Sequence, residues 1–411
     1  MAVIERADAE ALDRADPLAG FRDGFVVADA PIYADGNSLG RLPRSVADRM
    51  DALVADWGER LVRGWADWIE LPVRVGDRLA PLVGAHPGEV LACDSTTVNL
   101  YKLAEAALDR RPGPVVVDEH EFPTDRYVLE GLAARRGVEL RRLASDPVAG
   151  PQPGEVAAAA EGATLVVLSV VGYRSGALAD VAAITAAVHE AGAAMLWDVS
   201  HAVGVIPLDL AEADLAVGCT YKYLNAGPGA PAFLYVRGDL QEVLRSPIQG
   251  WFGQREQFEM GPRYEPAAGI ERFLAGTPPI LGLAAVDAAL EPVLDAGIEP
   301  VREKSLALTD LTIALHDERL APLGFRLATP RERNRRGGHV GVAHDDGWQL
   351  CRALIGLAGV IPDFRAPDVV RLAFPPLYSR FADVWDAVDR LAGLAESGRY
   401  RDVAAERLRV T

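Results

Sequence analysis

The stretch that decides the fold is AAMLWDVSHAVGVIPLDLAEADLAVGCTYKYLN, residues 193–225. It holds two short apolar runs, 193–198 and 215–219, and each ends in chemically capable side chains. The first closes on Asp198 with His201 just beyond; the second closes on Cys219-Thr220-Tyr221-Lys222. Runs that are apolar on both faces belong to parallel strands covered by helices. In such sheets, ligand-contacting residues gather beyond the carboxyl ends of the strands.

The same rhythm extends outward on both sides. Further strands are expected at 114–118, 138–143, 164–170 and 232–236, with a short one at 89–93. Helical spacing separates them, at 98–108, 123–136 and 180–191. This is an α/β layout with a mostly parallel sheet flanked by helices. Upstream, Val46, Met50, Leu53, Val54, Trp57 and Leu61 fall on one helical face, after the turn-rich segment Asp35 to Gly40. Beyond about residue 290 come a charged helix and then an amphipathic one at 381–395. The expected organisation is an N-terminal arm over 1–45, a large cofactor domain over 46–290 and a smaller α+β domain over 291–411.

Bulk properties bound the function. The chain has 411 residues, half of them hydrophobic, enough for a large core and a second domain. The formal net charge of −17 argues against nucleic acid and against an anionic membrane surface. The N-terminal residues are acidic and lack the apolar run of a signal peptide, and residues 163–171 are too short to span a bilayer. Cys93, Cys219 and Cys351 are far apart and form neither a disulfide framework nor a zinc site. A cytoplasmic protein without metal is expected.

The strand ends together suit pyridoxal 5′-phosphate. Lys222 supplies the amine that bonds its aldehyde. Asp198 is the carboxylate that keeps the pyridine nitrogen protonated. Ser95, Thr96 and Thr97 open a helix whose free N–H groups suit a phosphate dianion. Phe122 is an aromatic ring to stack on the pyridine. Singly, each has a plainer reading: a solvated lysine, a capping Asp or Thr, a core Phe. Lys222 weighs most, because it follows an apolar strand directly, and buried lysines are rare without a reason.

These residues sit in longer segments that resemble the kynureninases, members of the aspartate-aminotransferase-like, fold type I group of pyridoxal phosphate enzymes. The segments are Tyr33-Ala-Asp-Gly-Asn-Ser-Leu-Gly40, Asp94-Ser-Thr-Thr-Val-Asn-Leu100, Phe122-Pro-Thr-Asp125, Trp197-Asp-Val-Ser-His-Ala-Val-Gly204 and Gly218-Cys-Thr-Tyr-Lys-Tyr-Leu-Asn225. They continue through Gly250-Trp-Phe-Gly253, Gly276-Thr-Pro-Pro279, Lys304-Ser-Leu-Ala-Leu-Thr-Asp310, Asp363-Phe-Arg-Ala-Pro367 and Arg371-Leu-Ala-Phe-Pro-Pro-Leu-Tyr378. The resemblance runs from about residue 30 to residue 395.

It implies a fold with a seven-stranded-type sheet and a homodimer with shared active sites. It implies Lys222 as the Schiff-base lysine and Asp198 at the ring nitrogen. Thr96, Thr97, His201, Tyr221, Trp251 and Thr277 would contact the cofactor, and Phe122, Thr124 and Asp125 would line its ring. Arg371 would bind the substrate α-carboxylate, as a guanidinium fork suits; Asn37, Ser38 and Trp65 are the other candidate substrate contacts. The implied reaction is hydrolysis of kynurenine to anthranilate and L-alanine in tryptophan breakdown, or of its 3-hydroxy or another ring-substituted analogue, the last in secondary metabolism, with Lys222 moving the Cα proton and Tyr221 serving proton transfer at the cleaved carbonyl. Trp65, Trp68 and Trp251 are candidates for an aromatic slot.

Three positions depart from the family pattern: Gln254 stands where His is expected, Val170-Val-Gly-Tyr173 replaces a more polar segment, and Pro362 replaces Gly. Thr277 resembles the bacterial version that favours kynurenine over its 3-hydroxy derivative. The competing readings are another reaction on the same scaffold, such as a β-lyase, desulfurase or aminotransferase, or a non-catalytic cofactor-binding sensor.

Overall fold

The computed structural model describes residues 3–28 and 30–404. Residues 1, 2, 29 and 405–411, which belong to the two terminal spans expected above, lie outside the described residues.

Seven strands form the large sheet: β1 (Val90–Ala92), β2 (Val115–Asp118), β3 (Leu140–Leu143), β4 (Leu165–Ser169), β5 (Ala194–Asp198), β6 (Leu215–Gly218) and β7 (Phe233–Val236). Their order is β1-β7-β6-β5-β4-β2-β3. β6, β5, β4, β2 and β3 pair in parallel, while β7 runs antiparallel to both of its neighbours. The Val, Leu and Ala side chains of the central strands are buried on both faces, as the doubly apolar runs require. β3 is the exception: Leu-Arg-Arg-Leu is only half-buried, because it lies at the sheet edge.

Each expected strand and helix of this region is present, with ends shifted by a residue or two. Pro123–Arg136 starts on a proline at its first turn and stops at Gly137, whose φ of +65° is the left-handed conformation that ends helices. The helix expected at 98–108 spans Thr96–Arg110, because Ser95 caps it: its hydroxyl accepts from the N–H of Val98 at 3.4 Å.

A second, antiparallel sheet comprises β8 (Arg326–Leu327), β9 (His339–Ala343), β10 (Asp363–Arg365) and β11 (Val369–Ala373), in the order β10-β11-β9-β8. The N-terminal residues pack here. Ala9, Ile32 and Ala34 share a buried cluster with Leu308, Val340, Val370 and Val388. A short strand, Ile32–Tyr33, pairs in parallel with Val360–Ile361, and the N–H of Ala373 bonds the carbonyl of Ala34. The Asp35–Gly40 turn is thereby carried from the small sheet to the Lys222 loop. The N–H of Gly40 bonds the carbonyl of Tyr221 at 2.8 Å, and a Cβ on Gly40 would stand 2.4 Å from the carbonyl oxygen of Lys222. Only glycine permits that approach.

No described helix is long and apolar enough to cross a membrane.

Candidate active site

The chain has three lysines, and all three are buried. Two are neutralised by carboxylates: Lys102 lies 2.6 Å from Asp94, and Lys304 lies 2.6 Å from Asp16. Lys222 has no such ion pair among the described residues. Its Nζ instead faces the ring of His201, at 3.1 Å from Nε2, and lies 5.7 Å from the centroid of the Phe122 ring. Burial pushes the Lys222 amine below its usual range, and the charges of Arg371 and Arg365 add to that. The amine is thus biased toward its neutral, nucleophilic form. Burial and the Lys222 charge hold His201 well below the usual histidine range, so its ring is neutral.

Lys222 borders a cavity of about 180 Å³ at the carboxyl ends of the parallel strands. The cavity gathers nine of the expected site residues. Thr96 and Thr97 line it from the first turn of their helix, Phe122, Thr124 and Asp125 from the start of Pro123–Arg136, and Asp198, His201, Tyr221 and Lys222 from the loops after β5 and β6. A larger groove, about 490 Å³, opens at the other end of the strands. Its Arg237 is matched by Asp214 and Asp239, and it holds no reactive amine.

The far wall of the small cavity is acidic. Asp198 accepts from the N–H of Ser200 at 2.7 Å. Both oxygens of Asp125 are buried without a partner, and burial beside Asp198 and Glu121 pushes its carboxyl well above the usual range. Sequence reading missed Glu121. Its carboxylate accepts from the N–H and hydroxyl of Ser169, and burial pushes it up to about 7. A charged residue just before a helix start carries no signal that separates it from a surface acid. Burial also raises the Tyr221 phenol, helped by the neighbouring Cys219 thiol, so Tyr221 keeps its proton.

These residues fit pyridoxal phosphate. A buried amine, an aromatic ring beside it, buried carboxyl oxygens in want of a donor, and the N-terminus of a 15-residue helix converge on one cavity.

Beside it, Arg371 is bound by Asp363 through Nε (2.6 Å) and Nη2, and Ser38 lies 3.1 Å from Nη2. Asn37 is buried against the same guanidinium, with its amide oxygen 3.2 Å from Nη1 in the orientation that satisfies both of its ends. Asp363 and Arg365 stood in a quoted motif without a role; alternation along β10 puts both on the face of Arg371. His339 was also missed. It is wholly buried 6.1 Å from His201, neither ring nitrogen has a partner, and burial beside Arg371 pushes it down to about 3.

Trp65, Trp251 and Thr277 do not reach the cavity within one chain. Trp65 packs on Trp68 and on Phe252, and Phe252 packs on Trp251. Trp251 and Thr277 are exposed. Gln254 belongs to the same loop, where its side chain accepts from the N–H of Glu265 at 2.6 Å. Gly172 and Tyr173 line a smaller neighbouring cavity with Glu121, and the Tyr173 ring meets Phe122 edge-on at 5.4 Å. Pro362 is buried between the Val360–Ile361 strand and β10.

A family model for the kynureninase C-terminal domain matches residues 301–391. The kynureninase of Burkholderia pseudomallei (strain 1106a) is 44% identical over 409 residues, covering 96% of this chain and 97% of that protein. The kynureninase of Pseudomonas fluorescens is 44% identical over 406 residues, covering 95% of each. Among solved structures, the cystine C–S lyase C-DES, in a variant with glycine covalently linked to its PLP cofactor, superposes with a TM-score of 0.80. It is 18% identical, and the match covers 90% of this chain and 98% of that one, which shows a common fold.

Proposed function

The chain belongs to the kynureninase family, and on that premise we propose that it hydrolyses the Cβ–Cγ bond of L-kynurenine, giving anthranilate and L-alanine, with pyridoxal 5′-phosphate held at Lys222. The observation that carries this reading is Lys222 itself: the one lysine of three with no carboxylate ion pair among the described residues, in a cavity built from Asp125, Asp198 and a helix N-terminus.

The bound cofactor supplies an electron-withdrawing ring that stabilises negative charge on the amino acid's α-carbon. Asp198 and Asp125 would hold its ring end, and Thr96, Thr97 and their helix N-terminus would hold its phosphate. Phe122, whose ring lies 5.7 Å from the Lys222 amine, would stack on its ring. The Lys222 amine, biased toward its neutral form, moves the proton at Cα. Tyr221, which holds its proton, donates toward the oxygen that gains charge when water adds to the γ-carbonyl. Arg371 orients the α-carboxylate.

Two further readings belong to this proposal. Trp251 and Thr277 reach a cofactor site only from a second copy, so the active form is a homodimer. The exposed Trp57, Val62, Phe258 and Met260 supply apolar surface for that contact. A cytoplasmic location fits three buried, unbridged cysteines.

The test is direct. Protein loaded with cofactor is incubated with kynurenine and with 3-hydroxykynurenine, and anthranilate, 3-hydroxyanthranilate and alanine are followed. Anthranilate and alanine in equal amounts are expected. A loaded protein that releases neither aromatic acid overturns the reading in favour of another reaction on this fold.

A further inference from the structure

Arg371, the residue expected to receive the substrate carboxylate, has no donor to spare. A guanidinium carries five N–H groups. Nε bonds Asp363 Oδ1 at 2.6 Å, and Nη2 bonds Asp363 Oδ2 and the Ser38 hydroxyl. Nη1 bonds the carbonyl of Tyr173 and meets the Asn37 amide oxygen at 3.2 Å. An incoming carboxylate gains a bond here only by displacing a neutral acceptor such as Ser38 or Asn37.

Arg365 stands in the opposite condition. Its Nη2 shares Asp363 Oδ2 at 2.7 Å, and its Nη1 has only the Phe364 carbonyl at 3.5 Å. Its Nε is buried and has no partner among the described residues. Asp363 itself is saturated, since Oδ2 also accepts from the Ser38 hydroxyl at 2.9 Å. Two guanidinium groups therefore rest on one carboxylate. The other nearby acid, Asp35, does not close the gap: burial beside Asp363 pushes it up to about 7, so a substantial fraction is neutral near neutral pH. A partly buried cluster with surplus positive charge and an unused N–H donor is short of one anion.

The register keeps Arg365 beside Arg371. Asp363 stands opposite Arg371, and Arg365 is two residues further along β10, on the same face. Both guanidinium groups reach the same Asp363 oxygen, so a carboxylate held at Arg371 lies within the cluster that contains Arg365.

We propose that Arg365 is a second binding residue for the α-carboxylate of the amino-acid substrate, supplying the charge and the free donor that Arg371, locked to Asp363, lacks. Arg371 then fixes the position of the carboxylate, and Arg365 neutralises it. The proposal rests on the reading of this chain as an enzyme acting on α-amino acids.

The test compares L-alanine with L-alaninamide, which keeps the amine and removes the carboxylate charge. Each is titrated into cofactor-loaded wild type, Arg365→Gln and Arg365→Lys, and binding is read from the absorbance of the bound cofactor. Arg365→Gln is expected to weaken alanine roughly tenfold, and Arg365→Lys, which keeps the charge without the fork, roughly threefold. Alaninamide is expected to stay within about twofold throughout, so either variant alone reads the effect. Unchanged alanine binding overturns the proposal. So does an equal loss for alanine and alaninamide, which marks Arg365 as merely structural. A wild type whose cofactor responds to neither compound overturns the amino-acid reading itself, and this proposal with it.

Discussion

Lys222, Lys102 and Lys304 show what a buried cation means at the scale of one residue. Two are ordinary ion pairs that stitch elements together, and the third, which faces His201 instead, is the one proposed above to carry the chemistry. The difference lies in the partner, which no local sequence pattern displays. Tyr221 carries a separable prediction. Its phenol is held protonated beside Asp198, so Tyr221→Phe should lower kcat on kynurenine about 100-fold or more, the range for a lost proton-transfer or oxyanion group. The cofactor absorbance should persist; near-normal turnover would remove Tyr221 from the mechanism. Glu121 makes a prediction about pH. Its carboxyl is held at about 7 in the fold and falls to about 4.3 in the unfolded chain. The folded protein therefore keeps a proton that the unfolded one releases, and stability falls as pH rises from about 4.5 to 7. Cofactor-free Glu121→Gln should lose less melting temperature than wild type between about pH 5 and 8. Asp35 and Asp125 tilt the same way and set the slope that remains. An equal slope in the variant would refute the assignment.

At the scale of elements, the strands and helices that build the cavity were legible because their signals are local. β4, β5 and β6 are apolar on both faces, and Pro123–Arg136 is punctuated by Pro123 and Gly137. The pairing of Ile32–Tyr33 with Val360–Ile361 was not legible, since two residues carry no periodicity and the partners are more than 300 positions apart. The antiparallel direction of β7 was equally hidden, because an apolar strand reads the same in both directions. The N-terminal helix, Arg6–Ala15, shows how such contacts act. Asp13 accepts from the N–H groups of Phe381 and Ala382, at 2.6 and 3.1 Å, and so caps the helix Phe381–Ser397 from across the fold. Asp13→Ala should cost about 1–2 kcal/mol. The effect should appear as a lower melting temperature with the cofactor spectrum unchanged; a stability equal to wild type would show that the cap does nothing.

At the scale of the whole molecule, the separation of Trp251 and Thr277 from Lys222 is the most consequential fact. Together with the homodimer proposed above, it predicts complementation. Lys222→Ala and Thr277→Ala proteins, each inactive or nearly so alone, should regain activity when dissociated and reassembled together, because some hybrid dimers hold one site with both residues intact. Absence of any regain, with mixed dimers demonstrated, would place Thr277 in its own chain's site or in none.

The sequence by itself determined the α/β class, nine of the residues that line the cavity and their chemical kind. Those signals are local: apolar runs, helix starts, and reactive side chains at strand ends. Only the tertiary structure decided that Lys222 forms no carboxylate ion pair among the described residues, that Arg371 is saturated while Arg365 is not, and that Glu121 and His339 are buried beside the site. These are properties of partnership and burial, set by residues distant in the chain, and no segment carries them alone.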